Sequence, residues 1–236
     1  MITILKLFLI GLHTFILSVL ALISILIDRS FKSYHYLSKI FARGTLFISG
    51  VKVKIFGLEN IDEKATYVFV SNHASQFDIT VLQWGVPNRL AMIFKKELSK
   101  IPVFGWQLKL GPYIMVDRKS PESGMKSIEE AKVLMRTKGI SVLVFPEGTR
   151  SKTGELLPFK RGAFHLAAKV GYPIVPVTII DSDKIMPKGT FKLRRGIIKM
   201  IFDKPINTEN VKSKVDELQL MDNIKLIMQN NKERFK

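Results

Sequence analysis

Cysteine is absent from the 236 residues. That excludes disulfides, thiolate metal sites and covalent catalysis through a thiol, and it is compatible with the cytosol. Acid is scarce. Twenty Asp and Glu stand against 37 Lys and Arg, a formal net charge of +17. Such an excess calls for an anionic partner: a phospholipid surface, nucleic acid, or an acidic carrier or substrate. No aromatic-and-basic reading module of the known nucleic-acid-binding kinds is present, so nucleic acid is the weakest of these. Internal repeats and low-complexity segments are also missing. The G-x-S-x-G elbow of the serine hydrolases does not occur, so no obvious covalent nucleophile remains.

Charge is missing again, locally, from Leu7 to Ile27, a run of 21 residues. At about 1.5 Å per residue a helix there is roughly 30 Å long, enough to cross a hydrocarbon core. A cleaved signal peptide fits less well, because the run is long and no small-x-small site follows it. From Arg29 to Ile55 there are bases (Arg29, Lys32, Lys39, Arg43, Lys52 and Lys54) and no acid. On a helical wheel Lys32, His35, Lys39 and Arg43 fall within about 80°. Phe31, Tyr34, Leu37, Phe41 and Ile48 fall largely opposite. This predicts an interfacial helix with its aromatic face in the acyl boundary and its cationic face toward lipid phosphates. A helix packed on the rest of the protein with a solvated basic face is the other reading. Residues 1–49 are therefore expected to be membrane-anchoring helices, either spanning the bilayer or paired in one leaflet. Juxtamembrane positive charge places the remainder of the chain on the cytoplasmic side of the cell membrane.

From residue 50 to 236 the pattern changes. Val51–Phe56 alternates with period two, and apolar runs recur at Tyr67–Ser71, Leu90–Phe94, Tyr113–Val116, Ser141–Phe145, Ile174–Ile180 and Ile197–Phe202. Each reads as a strand. Helices are expected at Ile79–Trp84, Phe104–Leu110, Pro121–Thr137, Gly162–Val170 and Val211–Lys232. Strands interleaved with helices predict an α/β domain with a largely parallel sheet.

Two stretches carry chemistry. Asn72 to Asp78 reads NHASQFD, between a strand and a helix. A neutral imidazole is a competent general base near neutral pH, and a carboxylate on its other nitrogen fixes the tautomer. Taken alone, His73-x4-Asp78 also fits a capping histidine beside a solvated acid. Phe145 to Arg150 reads FPEGTR after another apolar strand.

NHxxxxD followed some seventy residues later by FPEGTR resembles the glycerolipid acyltransferase family, and within it the 1-acylglycerol-3-phosphate acyltransferases. Lys95-Lys96-Glu97-Leu98 with Ile101-Pro102-Val103-Phe104-Gly105 resembles the family's KKEL..IP.FG segment. Gly111 to Arg118 resembles its GxxFIDR block, from which Met115 and Val116 depart. Pro173 to Val177 resembles a fourth block. The match runs from about Lys52 to Pro205, in order.

The resemblance implies transfer of a fatty acyl group from a thioester to the hydroxyl of a lysophospholipid. The donor would be acyl-CoA or acyl carrier protein, and no cofactor or metal is required. His73 would act as base and Asp78 as its orienting partner. Arg150 would grip the acceptor phosphate, with Arg118, Lys95 and Lys96 as further cations. Glu147 would hold the loop or an acceptor hydroxyl. Amides of the Glu147-Gly148-Thr149 turn are candidates for an oxyanion hole. The expected product is phosphatidic acid, made at a membrane from lysophosphatidic acid. Acylation of a lyso-ornithine lipid or lysophosphatidylinositol, or noncatalytic binding of anionic lipid, are the alternatives. A basic stretch from Lys184 to Lys204 is open to a membrane, to an acidic carrier protein or to solvent.

Overall fold

The computed structural model describes residues 2–117 and 120–235. Strands β1 (Val51–Phe56), β2 (Val68–Ser71), β3 (Leu90–Lys95), β4 (Ile114–Val116), β5 (Ser141–Val144), β6 (Ile174–Ile180) and β7 (Gly196–Phe202) form one sheet. Its order is β1-β7-β6-β2-β5-β3-β4. Every neighbouring pair is parallel except β6 with β7. The largely parallel sheet expected from the sequence is therefore present, with one reversal.

The strands are nearly continuous apolar runs because both faces of the sheet are covered. Successive side chains of β2 point to opposite faces. Phe69 joins Leu82, Leu143, Val175, Ile198 and Met200 in one core. Val68 and Val70 join Val142, Ile174, Phe164 and Ile224 in the other. The first core is closed by helix α3 (Phe77–Gly85). The second lies under α5 (Pro121–Lys138), α6 (Gly162–Val170) and α8 (Lys214–Arg234). Helix α5 begins at a Ser120 cap, whose hydroxyl accepts from the Ser123 N–H. Helix α8 begins with a capping box formed by Ser213 and Asp216. The short α4 (Phe104–Leu110) and the single turn α7 (Ser182–Ile185) complete the domain. Nothing in the periodicity of the sequence announces α7.

Two antiparallel helices precede the sheet: α1 (Ile2–Ile27) and α2 (Lys32–Ser49). Helix α1 packs on α2 and α4 through one side, where Ser18, Ala21, Ser24 and Ile25 are buried. Its other side leaves Ile4, Phe8, Phe15, Ile23 and Ile27 exposed. A contiguous apolar stripe of that length marks a surface meant for lipid or protein. By length and composition α1 can cross a membrane from Thr3 to Ile27.

Helix α2 corrects the sequence reading of its faces. Tyr34 and His35 are both buried. Lys39 donates its ammonium to the carbonyls of Trp84, at 3.1 Å, and Val86, at the end of α3. Phe41 stacks on His13 of α1. The aromatics expected to face lipid thus pack inward, and of the cationic arc His35 is buried while Lys39 satisfies carbonyls at a helix C-terminus, where positive charge is favoured. The exposed side of α2 instead carries Lys32, Tyr36, Ile40, Arg43 and Phe47.

Candidate active site

Strands β2, β3, β4, β5 and β6 all end at one edge of the sheet, the edge where parallel α/β proteins place their sites. His73 follows β2, and FPEGTR follows β5, its neighbour in the sheet. Topology, not sequence proximity, brings the two motifs together.

His73 Nδ1 lies 2.8 Å from Asp78 Oδ2. With the proton on Nδ1 donated to that carboxylate, Nε2 is left with its lone pair free. The same Oδ2 accepts the N–H groups of Ala74, at 2.7 Å, and Ser75, at 2.8 Å. Asp78 is fully buried and sits in the first turn of α3, at the positive end of the helix dipole. A buried carboxylate is held there by three donors and a dipole. The imidazole plane is fixed from the other side. Phe145 stacks on it with centroids 4.0 Å apart and planes 16° from parallel. Asn72, one residue earlier, exchanges two hydrogen bonds with the backbone of Ile179, at 2.8 and 2.7 Å, and so pins the end of β2 to β6.

Glu147 binds the two motifs directly. One carboxylate oxygen accepts the N–H of His73, at 2.9 Å, and the other accepts the N–H of Leu157, at 3.2 Å. Ser151 N–H donates to the His73 carbonyl, at 2.7 Å. Glu147 therefore ties the His73 loop to the segment after its own turn. Burial pushes its carboxyl up to about 7, and the two backbone donors oppose that rise. The folded chain consequently binds a proton here more readily than the unfolded chain does. Stability from this group is complete below about pH 4.5 and is lost as pH rises through about 7. Compared with Glu147→Gln, which cannot titrate, the wild-type melting temperature should therefore fall progressively from pH 4.5 to 7. A constant gap between the two across that range would rule out a raised Glu147.

The turn after Glu147 needs a glycine. Gly148 has φ +67°, and a Cβ there would also press on the Lys160 side chain at 3.3 Å. The Gly148 N–H donates to the Phe145 carbonyl, at 3.1 Å. Of the three amides considered for an oxyanion hole, that one is occupied, which among the described residues leaves those of Glu147 and Thr149. Arg150 is half-buried, and its guanidinium makes no ion pair among the described residues. Lys188, from the segment after β6, donates to the Thr149 hydroxyl at 3.2 Å and to the Arg150 carbonyl at 2.6 Å. Arg150, Lys160 and Lys188 thus surround the turn with positive charge. Lys160 and Lys188 carry no sequence signal of their own, since each reaches the turn only through the fold.

Lys95 and Lys96 lie at the end of β3, where they pair with Glu97 (3.0 Å) and Asp117 (3.2 Å). These pairs are about half exposed, so they hold the two ammonium groups weakly. Arg118 lies outside the described residues.

An acyltransferase family model matches residues 52–180, more than half of the chain. The chain belongs to the acyltransferase family. Both motifs fall inside the matched segment, as do all the strands at whose ends the site is built. Among its relatives is a 1-acyl-sn-glycerol-3-phosphate acyltransferase of Limnanthes douglasii, 38% identical over 70% of this chain and 58% of the relative. The chloroplastic 1-acyl-sn-glycerol-3-phosphate acyltransferase BAT2 of Brassica napus is 40% identical over 74% of this chain and 51% of the relative. The chain thus spans little more than half the length of these two relatives. The fold is shared with the crystal structure of the 1-acyl-sn-glycerophosphate acyltransferase PlsC from Thermotoga maritima, with a TM-score of 0.84 at 24% identity, covering 99% of this chain and 94% of that one.

Proposed function

We propose that this family member transfers a fatty acyl group from acyl-CoA or acyl carrier protein to the sn-2 hydroxyl of 1-acylglycerol 3-phosphate, giving phosphatidic acid. The observation that carries the chemistry is the His73–Asp78 pair, held by Asn72, Phe145 and Glu147 beside a cationic turn. The names and similarity of the relatives support the choice of acceptor.

His73 Nε2 takes the proton of the acceptor hydroxyl as its oxygen attacks the thioester carbonyl. The carbonyl oxygen becomes an oxyanion, for which the Glu147 and Thr149 amides are the available backbone donors. Asp78 stabilises the imidazolium that forms. The intermediate collapses, the carbon–sulfur bond breaks, and the thiolate leaves with the proton held by His73. Ester and free thiol are the only products, so no protein nucleophile is needed. Arg150, with Lys188 and Lys160 near it, receives the acceptor phosphate; a guanidinium presents two parallel donors to it. The exposed apolar side of α1 and the mixed aromatic and basic side of α2 hold the chain at the cell membrane, with the catalytic domain on the cytoplasmic side.

The test is acyl transfer by the purified, detergent-solubilised chain, given both thioester donors and a panel of lysolipids. Selective conversion of lysophosphatidic acid is the expected result. Conversion of a lyso-ornithine lipid or lysophosphatidylinositol would replace the acceptor and keep the mechanism. No transfer by folded protein would leave only lipid binding. In the same assay Arg150→Ala should raise the acceptor KM by about 10- to 100-fold, the worth of a lost charge-assisted hydrogen bond. An unchanged KM and rate would remove Arg150 from the phosphate site.

A further inference from the structure

The segment between α7 and β7 is absorbed into the site only through Lys188. The rest of it is an exposed aromatic among cations, on a rigid mount. Thr190 closes a turn by donating its N–H and its hydroxyl to the Pro187 carbonyl, both at 3.2 Å. Gly189 supplies the φ of +82° that the turn requires. Arg194 N–H donates to the Ile185 carbonyl at 2.9 Å, and Leu193 is buried in the core under α3. Between these fixings Phe191 stands 78% exposed, with Lys192, Arg194 and Arg195 exposed around it. No acid occurs from Lys184 to Phe202. An aromatic ring costs free energy when held in water, and here the backbone holds it there.

The neighbours of the loop identify its partner. The Arg195 side chain runs against Gly50, where a Cβ would sit 3.1 Å from its Cγ. Gly50 ends α2, whose Phe47 is 85% exposed. Lys6, at the start of α1, donates to the Ser49 carbonyl at 2.6 Å. The Arg195 end of the loop therefore adjoins the α1–α2 pair at the edge of the sheet that carries the site.

We propose that the Pro187–Arg195 loop is a second membrane contact: Phe191 enters the acyl boundary of an anionic bilayer, and Lys192, Arg194 and Arg195 take its phosphates. The chemistry is that of interfacial anchoring, an apolar wedge within a cationic ring. Charge complementarity and adjacency to the α1–α2 pair select lipid as the occupant. Because Lys188 of the same loop grips Thr149 and Arg150, the contact also sets the height of the catalytic turn above the lipid surface. The proposal rests on the membrane attachment of the α1–α2 pair, and its test separates the two.

The chain has no cysteine, so single probes are simple to place. Full-length Phe191→Cys and, separately, Phe8→Cys on α1 would each be labelled with an environment-sensitive fluorophore. Both would be reconstituted in phosphatidylcholine vesicles with and without phosphatidylglycerol. The expected result is a blue-shifted Phe191 probe, quenched by bromine-labelled acyl chains, only where phosphatidylglycerol is present. Adding Lys192→Glu and Arg194→Glu should cut the inserted fraction about tenfold or more. A buried Phe8 probe with an aqueous Phe191 probe would overturn this loop alone. Two aqueous probes would overturn membrane attachment as well. A Phe191 probe that responds only to an added acidic carrier protein would assign the loop to that protein instead.

Discussion

His73→Ala is expected to abolish acyl transfer while the protein stays folded. The imidazole is a base positioned by two partners, Asp78 at 2.8 Å and the Phe145 ring at 4.0 Å. General-base help is worth about 10²–10⁴-fold in rate, and the mutant should lose at least that. The fold should survive, because the backbone contacts of residue 73 remain. Its N–H still meets Glu147 and its carbonyl still receives Ser151. Asp78 also keeps its two amide donors from Ala74 and Ser75. The stability cost should therefore be modest, about 1–3 kcal/mol for one donor lost from a buried carboxylate. The check is turnover at saturating donor and acceptor, beside a melting curve of the same preparation. Turnover within tenfold of wild type, from protein of wild-type stability, would sink the mechanism. A lipid-binding protein without catalysis would show no difference at all.

The second large effect is expected at Asp78→Asn. One oxygen, Oδ2, accepts three hydrogen bonds, while Oδ1 has no partner among the described residues. An amide cannot fit both positions. If its NH₂ group takes the place of Oδ2, it faces three donors. If its oxygen does, the NH₂ group is buried without an acceptor, and the negative charge that steadies the imidazolium is gone. Either orientation costs stability, about 1–3 kcal/mol for an unsatisfied buried group. Either also lowers kcat, by about 10²–10⁴-fold, comparable to the loss from an equivalent change in a serine-protease triad. The KM for acceptor should hardly move, since Asp78 is buried behind His73 and does not reach the cationic turn. A large rise in KM with kcat preserved would show that Asp78 serves binding rather than the proton transfer.

Much of this was legible in the sequence because it is local. NHASQFD and FPEGTR stand at the ends of apolar runs, and runs of that kind become strands ending in loops. All seven strands lie within one or two residues of their expected limits. The parts that were not legible depend on which elements meet. Period-two patterning does not distinguish a parallel partner from an antiparallel one, so the reversed β6–β7 pair could not be read from it. A helical wheel sorts α2 into faces but does not say which face the domain will cover. Lys39 turned to the inner face because the carbonyls of Trp84 and Val86 lay waiting at the end of α3, and His35 was buried beside it. Lys160 and Lys188 are ordinary lysines in sequence. They join the site because the chain returns to it after β5 and again after β6.

The reversed pair also bears on kinetics. Val51 is registered with Gly196, so β1 starts at the edge where β6 and β2 finish. The last turn of α2 and the catalytic turn therefore share one rim of the molecule. On the proposed function, an acceptor lipid would offer its headgroup there while its chain stays in the leaflet. The quantity that sets the rate would then be the mole fraction of acceptor in the plane of the membrane. Diluting the acceptor with inert lipid at constant bulk amount should slow the reaction, and adding buffer at constant lipid composition should not.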